Sequence, residues 1–227
     1  MQEENKVAQA YDKVLARVKK VCLKSNIDFS KINILVVTKY ATKEQIEQLL
    51  SKRQVFAVGQ SRLQDTLLKF SDPQLNTFKV RKFFIGRLQT NKAAKVLENF
   101  DLICSLDNLA LAEVLNKQAQ KQNKKAFCLV QVKLTDRETQ GGLDEGQVSA
   151  FIKQVKNLYP YIELKGLMAI APQGSKEQIR VAFKKAKQIF DCHFKEQDYL
   201  SLGMSSDFEI AIEEGSNLIR IGSAVFG

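Results

Sequence analysis

The feature that most restricts this chain is an alternation. Short runs rich in β-branched and aliphatic residues recur along it, separated by longer stretches whose apolar residues follow helical spacing. The short runs are INILVV (32–37), VFAV (55–58), KFFIG (82–86), LICS (102–105), FCLVQV (127–132), ELKGLMAI (163–170), YLSLG (199–203) and LIRIG (218–222). The helix-patterned stretches fall near 42–51, 60–70, 90–99, 107–122, 145–158, 175–195 and 206–214, and one more, near 4–24, precedes the first run. Continuous apolar runs of this length read as strands buried on both faces, which a parallel sheet requires. Eight strands joined by helical crossovers fit an α/β chain folded as a single (β/α)8 barrel of the TIM type. An open doubly wound sheet is the structural alternative.

Local chemistry agrees with the helix starts. Thr42 stands three residues before Gln45, and Ser175 three before Gln178, the spacing of a capping box. Only three prolines occur and no Pro/Gly-rich linker, repeat or low-complexity segment marks a boundary. Residues 1–227 are therefore read as one barrel domain with an extra N-terminal helix near 4–24.

Composition limits the setting. The first thirty residues read as a charged helix rather than a leader, and the longest plainly apolar runs, such as Ile34 to Val37, fall far short of the about twenty residues a membrane span needs. The expectation is a cytoplasmic protein with no membrane partner. Cys22, Cys104, Cys128 and Cys192 are widely spaced and His193 is the sole histidine, so no metal site is expected and the thiols read as free in a reducing compartment. The formal charge of +10 attracts anions, but the basic residues lie on helix-patterned segments without interleaved aromatics, which is the pattern of a solvated face rather than a nucleic-acid surface.

In a barrel of this kind, chemistry gathers at the C-terminal ends of the strands. Lys39 follows the first apolar run, in Val36-Val37-Thr38-Lys39-Tyr40, where its ammonium points to the barrel mouth. A desolvated lysine there gives up its proton readily and attacks an aldehyde to form a Schiff base. Two loops at the chain's end, Gly203-Met204-Ser205-Ser206-Asp207 and Arg220-Ile221-Gly222-Ser223, follow the seventh and eighth runs, where barrels of this type build their phosphate site. Ser205, Gly222 and Ser223 supply donors for an anion. An amine for an aldehyde and a cradle for a phosphate, at one barrel mouth, suggest pyridoxal 5′-phosphate. Arg220 would then face the pyridine nitrogen; a guanidinium only donates, so it would keep that nitrogen unprotonated and weaken the ring as an electron sink.

These segments resemble the pyridoxal phosphate homeostasis protein family over essentially the whole chain. The resemblance rests on Val37-Thr38-Lys39-Tyr40, Phe84-Ile85-Gly86-Arg87-Leu88-Gln89-Thr90-Asn91-Lys92, Gly166-Leu167-Met168, Leu202-Gly203-Met204-Ser205-Ser206-Asp207 and the tail from Arg220 to Gly227. It implies a barrel like the alanine racemase N-terminal domain, a Schiff base at Lys39, and phosphate contacts from Ser205, Gly222 and Ser223, with Met204 in the same loop. It also implies that Gly59-Gln60-Ser61 approaches the cofactor, Ser61 retaining one hydrogen bond. The chain departs from the family at Gln60, where a charge is lost, at Phe83 and Arg87, where histidine is common, and at Gln140, where a lysine is usual.

The resemblance further implies a monomeric cofactor carrier or buffer that supplies pyridoxal phosphate to dependent apo-enzymes and has no efficient catalytic activity. Two readings compete with it. One is a racemase-like enzyme that uses Lys39 and a second base, for which Tyr40 is the candidate. The other is a phosphate- or RNA-binding barrel without the cofactor, which predicts no lysine adduct.

Overall fold

In a computed structural model, which describes residues 6–135 and 141–227, eight parallel strands form one sheet curved into a barrel. They are β1 (Asn33–Val37), β2 (Ala57–Gln60), β3 (Arg81–Phe84), β4 (Leu102–Leu106), β5 (Ala126–Lys133), β6 (Ile162–Ile170), β7 (Tyr199–Ser201) and β8 (Leu218–Ile221). In the order β7-β6-β5-β4-β3-β2-β1-β8, β8 pairs with β1, and hydrogen bonds between the two ends of the order, β7 and β8, bring the sheet round on itself and set aside the open-sheet alternative.

No continuous ladder joins β7 to β8. That seam is stitched instead by two backbone bonds, Asn217 N to Leu200 O (3.2 Å) and Arg220 N to Gly203 O (3.0 Å), and by side chains. Ser216 Oγ lies 3.0 Å from both the Leu200 and the Leu202 carbonyl, which share its one proton, and Asn217 Oδ1 accepts from Leu200 N at 2.8 Å. Polar side chains thus supply hydrogen bonds that a ladder would otherwise provide, which buried backbone requires.

The helices are α1 (Lys6–Lys24), α2 (Lys43–Lys52), α3 (Leu63–Phe70), α4 (Pro73–Thr77), α5 (Ala93–Asn99), α6 (Leu109–Lys121), α7 (Glu145–Leu158), α8 (Lys176–His193), α9 (Phe208–Glu213) and α10 (Ser223–Phe226). Both expected capping boxes form, at Thr42 and Ser175, and Asp144 with Gln147 makes a third. The α1 stripe of Val7, Tyr11, Val14, Val18 and Val21 packs with Ile34, Phe208, Ile219 and Val225, so the N-terminal helix shares a core with β1, β8 and the chain's end. Leu35, Ala57, Phe83, Leu102, Leu129, Met168 and Leu218 fill the lumen with one apolar cluster drawn from seven strands. No helix among the described residues is long and apolar enough to cross a membrane.

Some boundaries differ from the sequence reading. β2 runs to Gln60 rather than ending at Val58, because Gly59 and Gln60 pair with Phe83 and Phe84, and α3 consequently starts at Leu63. The short helices α4 and α10 are additional. Asp72 caps α4 by accepting from Gln74 N, with Pro73 in the first turn, a start signal that the sequence does carry.

Candidate functional site

A cleft of about 800 Å³ opens at the C-terminal end of the barrel. Every residue proposed from the sequence as a site residue lines it: Lys39 after β1, Ser61 after β2, Met204 and Ser205 after β7, and Arg220, Gly222 and Ser223 at the end of β8. Ile85, Met168 and Ile170 add an apolar wall, and this mixture of apolar walls with a few convergent polar groups is typical of small-molecule sites.

The two end loops are locked together. Ser205 Oγ accepts from Ala224 N at 3.2 Å, which joins the loop after β7 to the first turn of α10. Asp207 Oδ1 accepts from Met204 N at 2.6 Å, and the Asp207 and Phe208 amides donate back to Met204 O at 3.1 and 2.9 Å. These bonds shape the Gly203-to-Asp207 turn from within. Burial pushes the Asp207 carboxyl above its usual range, against the opposing influences of the Met204 amide and of Arg220.

Arg220 is 5% exposed. Its Nη1 donates to Ser201 O (2.8 Å) and Ser201 Oγ (2.9 Å), and its Nη2 to Ala169 O (2.8 Å). All three acceptors are neutral, so the guanidinium brings positive charge to the cleft wall with no carboxylate hydrogen-bonded to it, and Asp207 acts on it only through space. Burial depresses its pKa to about 10, and the side chain is still cationic at neutral pH.

Lys39 corrects one expectation. Its side chain is exposed rather than desolvated, with Nζ 4.7 Å from the centre of the Tyr40 ring, itself 85% exposed. The order in this segment comes from its backbone. Lys69, on α3, donates from Nζ to Thr38 O at 2.8 Å and to Lys39 O at 3.3 Å. Burial lowers the pKa of Lys69. The sequence offered no sign of this clamp, because it joins positions thirty and thirty-one residues apart.

Gln60 does not line the cleft. It is fully buried, and its Nε2 donates to Thr38 Oγ1 at 2.7 Å, so it braces the loop from behind. Phe83 lies in the lumen cluster, and Arg87 is on the surface; neither lines the cleft. Gln140 lies outside the described residues. Gly86, central to the Phe84-to-Lys92 motif, packs directly on the loop after β2: a Cβ there would stand 2.2 Å from Ser61 O. That close approach holds Ser61 and Ile85 side by side at the cleft.

Residues 30–227 match the alanine racemase N-terminal domain family. A pyridoxal phosphate homeostasis protein of Aquifex aeolicus is 33% identical over 220 residues, covering 95% of each chain. The Escherichia coli K12 protein of the same name is 32% identical over 228 residues, covering 97% of this chain and 94% of that one. This chain belongs to the pyridoxal phosphate homeostasis protein family. Among solved structures, PipY of Synechococcus elongatus with pyridoxal phosphate bound has a TM-score of 0.79 at 29% identity, covering 94% of this chain and all of that one. An alanine racemase of Clostridium difficile shares the fold with a TM-score of 0.73 at 16% identity, and this chain covers 56% of it. The family membership agrees with the resemblance read from the motifs, and the fold agrees with the barrel expected from the alternation.

Proposed function

We propose that this protein binds pyridoxal 5′-phosphate in the upper cleft and acts in the cell as its carrier and buffer, which in turn affects amino-acid and keto-acid balance. The observation that carries the reading is the convergence of Lys39, the loops after β7 and β8, and the buried guanidinium of Arg220 on one cleft. The residues fit the group: an amine for an aldehyde, hydroxyls and loop backbone for a phosphate, and a permanent donor in the wall. The family and the pyridoxal phosphate in the similar PipY structure support the same choice.

In this reading Lys39 would hold the cofactor through its amine, Ser205, Gly222 and Ser223 would hold the phosphate, and Ser61 and Met204 would border the ring. Bound pyridoxal phosphate supplies an electrophilic aldehyde and an electron-withdrawing ring. Arg220 limits the second property. Pinned by three acceptors and able only to donate, it offers the ring nitrogen no proton.

The ionisable side chains lining the cleft, among the described residues, are Lys39, Tyr40 and Arg220. Tyr40 adjoins Lys39 on the same loop, beside its Nζ, and does not stand across the cleft as a second base must. This weighs against the racemase reading. The four cysteines are free thiols, which suits a reducing cytoplasm. The proposal takes the protein as a monomer that yields its cofactor to dependent apo-enzymes.

The test is the visible spectrum of wild type and Lys39→Ala mixed with pyridoxal phosphate, followed by borohydride reduction and peptide mapping. A lysine-adduct band in wild type alone, mapped to Lys39, is expected; equal labelling of both proteins, or no band, overturns the reading. Proton exchange at the α-carbon of L-alanine in D2O, followed by NMR, separates carrier from racemase, and exchange at ordinary enzymatic rates would remove the carrier assignment.

A further inference from the structure

We propose that the opposite, N-terminal end of the barrel carries a second small-molecule site, which takes a planar aromatic ring bearing a phosphate group. In barrels of this type that end ordinarily contributes stability rather than a site. Here it holds a cavity of about 550 Å³. The first residues of β3, β4 and β7, Arg81, Leu102 and Tyr199, lie in its wall, as do Phe127 near the start of β5 and Phe100 just before β4.

Its charges are not balanced. Arg81, Lys124, Lys125 and Lys165 line the cavity against two carboxylates, Asp101 and Asp198. Both carboxylates are already engaged by backbone amides, Asp101 by Lys82 N at 2.7 Å and Asp198 by Lys195 N at 2.9 Å. Lys165 pairs with Glu163. Among the described residues, Lys124 and Lys125 donate to the neutral carbonyls of Leu97 and Pro160.

Arg81 is the least satisfied of the four. Its Nε reaches Phe56 O at 3.4 Å and its Nη1 reaches Tyr199 Oη at 3.5 Å, both at the long limit of a hydrogen bond, and its Nη2 has no acceptor among the described residues. The guanidinium lies 3.8 Å from the centre of the Phe56 ring, so stacking keeps it in place without a counter-ion. Three cations without carboxylate partners among the described residues, around one concavity, favour a multiply charged anion.

The walls select a ring. Phe127 is 39% exposed, uncommon for a phenylalanine on a central strand, and the Lys165 ammonium lies 5.4 Å from the centre of its ring. A bulge adjoins this arrangement. Between Cys128 and Val130 the β5 register advances two residues while β6 advances three, from Leu164 to Leu167. The extra residue falls at Lys165-Gly166, where Gly166 has φ +131° and a Cβ would meet Tyr199 O at 1.9 Å. Only glycine fits there, and bulges of this kind re-aim side chains beside sites. The Gly166-Leu167-Met168 motif thus serves the lower cavity through its glycine and the upper cleft through Met168.

Adenosine monophosphate is a suitable probe, and pyridoxal phosphate carries the same chemistry of flat ring plus phosphate. Isothermal titration of folded wild type with adenosine monophosphate should show saturable binding, with adenosine and inorganic phosphate each at least tenfold weaker. Arg81→Gln and Lys125→Glu, checked for native circular dichroism, should each weaken binding at least tenfold, and the exposed Lys125 keeps the test valid if Arg81→Gln fails to fold. Lys39→Ala should bind the nucleotide as wild type does, and titrating that variant with pyridoxal phosphate shows which source of the shared chemistry is taken. Failure of both probes, binding that survives Lys125→Glu, or nucleotide binding lost in Lys39→Ala overturns the proposal.

Discussion

Lys69 Nζ donates to Thr38 O across 2.8 Å, so a lysine of α3 fixes the backbone of the loop that presents Lys39. A charged donor to a carbonyl contributes about 1.5–3 kcal/mol, and part of that would appear as order in the Lys39 loop. Lys69→Met is expected to raise the dissociation constant for pyridoxal phosphate about tenfold or more, with the Lys39 adduct still forming at saturation. Absorbance titration measures this. An unchanged constant would make the clamp irrelevant to binding.

Gly86→Ala places a methyl group 2.2 Å from Ser61 O, a backbone atom that cannot turn aside. The expected cost in stability is about 1–3 kcal/mol, the range for overpacking a filled site, and urea denaturation reads it directly. Because Ser61 lines the cleft, cofactor affinity should fall with it.

Arg220→Met strips the donors from Ser201 O, Ser201 Oγ and Ala169 O. Each buried acceptor left alone costs about 1–3 kcal/mol, so this variant should lose about 3 kcal/mol or more. Lys39→Ala, at an exposed side chain, should stay within about 0.5 kcal/mol of wild type while losing covalent cofactor binding. Equal stability losses in the two variants would contradict the geometry.

Folding raises the Asp207 pKa, mainly through burial. A carboxyl of this kind binds its proton more tightly in the folded state, so its stabilising contribution is full below the unfolded pKa and lost as pH rises through the folded one. Asp207→Asn keeps an oxygen to accept from Met204 N and does not titrate. The stability of wild type relative to this variant should therefore fall as pH rises from about 4, the unfolded value, through the raised pKa, and then level off. A relative stability that increases with pH would mean that Arg220 outweighs burial.

Cys192 is exposed, whereas Cys22, Cys104 and Cys128 are buried. Burial pushes the Cys104 thiol up to about 12 and raises Cys128 as well, so neither forms a thiolate at neutral pH. A disulfide-exchange reagent should titrate one thiol quickly in the native protein, none in Cys192→Ser, and four on denaturation of wild type.

The barrel was legible because each strand is a continuous apolar run, a signal that depends on local composition. The places of Lys39 and Ser205 at the cleft were legible because barrel topology puts strand ends on one face whatever the loops contain. Lys69 was not, because nothing local marks a lysine that reaches across two elements. The role of Gln60 was not legible either: the resemblance brings the Gly59-Gln60-Ser61 segment near the cofactor, but strand pairing with Phe84 turns the Gln60 side chain inward to Thr38. The exposure of Lys39 depends on the turn after β1, which the sequence left unspecified.

The side-chain seam between β7 and β8 has a consequence for release. The loops that border the cleft on that side leave from the two strands that share no ladder, so an anion held by both acts as a strut across a slit. Loading should slow amide proton exchange at Leu202 and Asn217 more than at amides of the β5–β6 ladder. Breathing of the slit and departure of the bound anion would then be a single event, at the join that only two backbone hydrogen bonds and a few side chains hold shut.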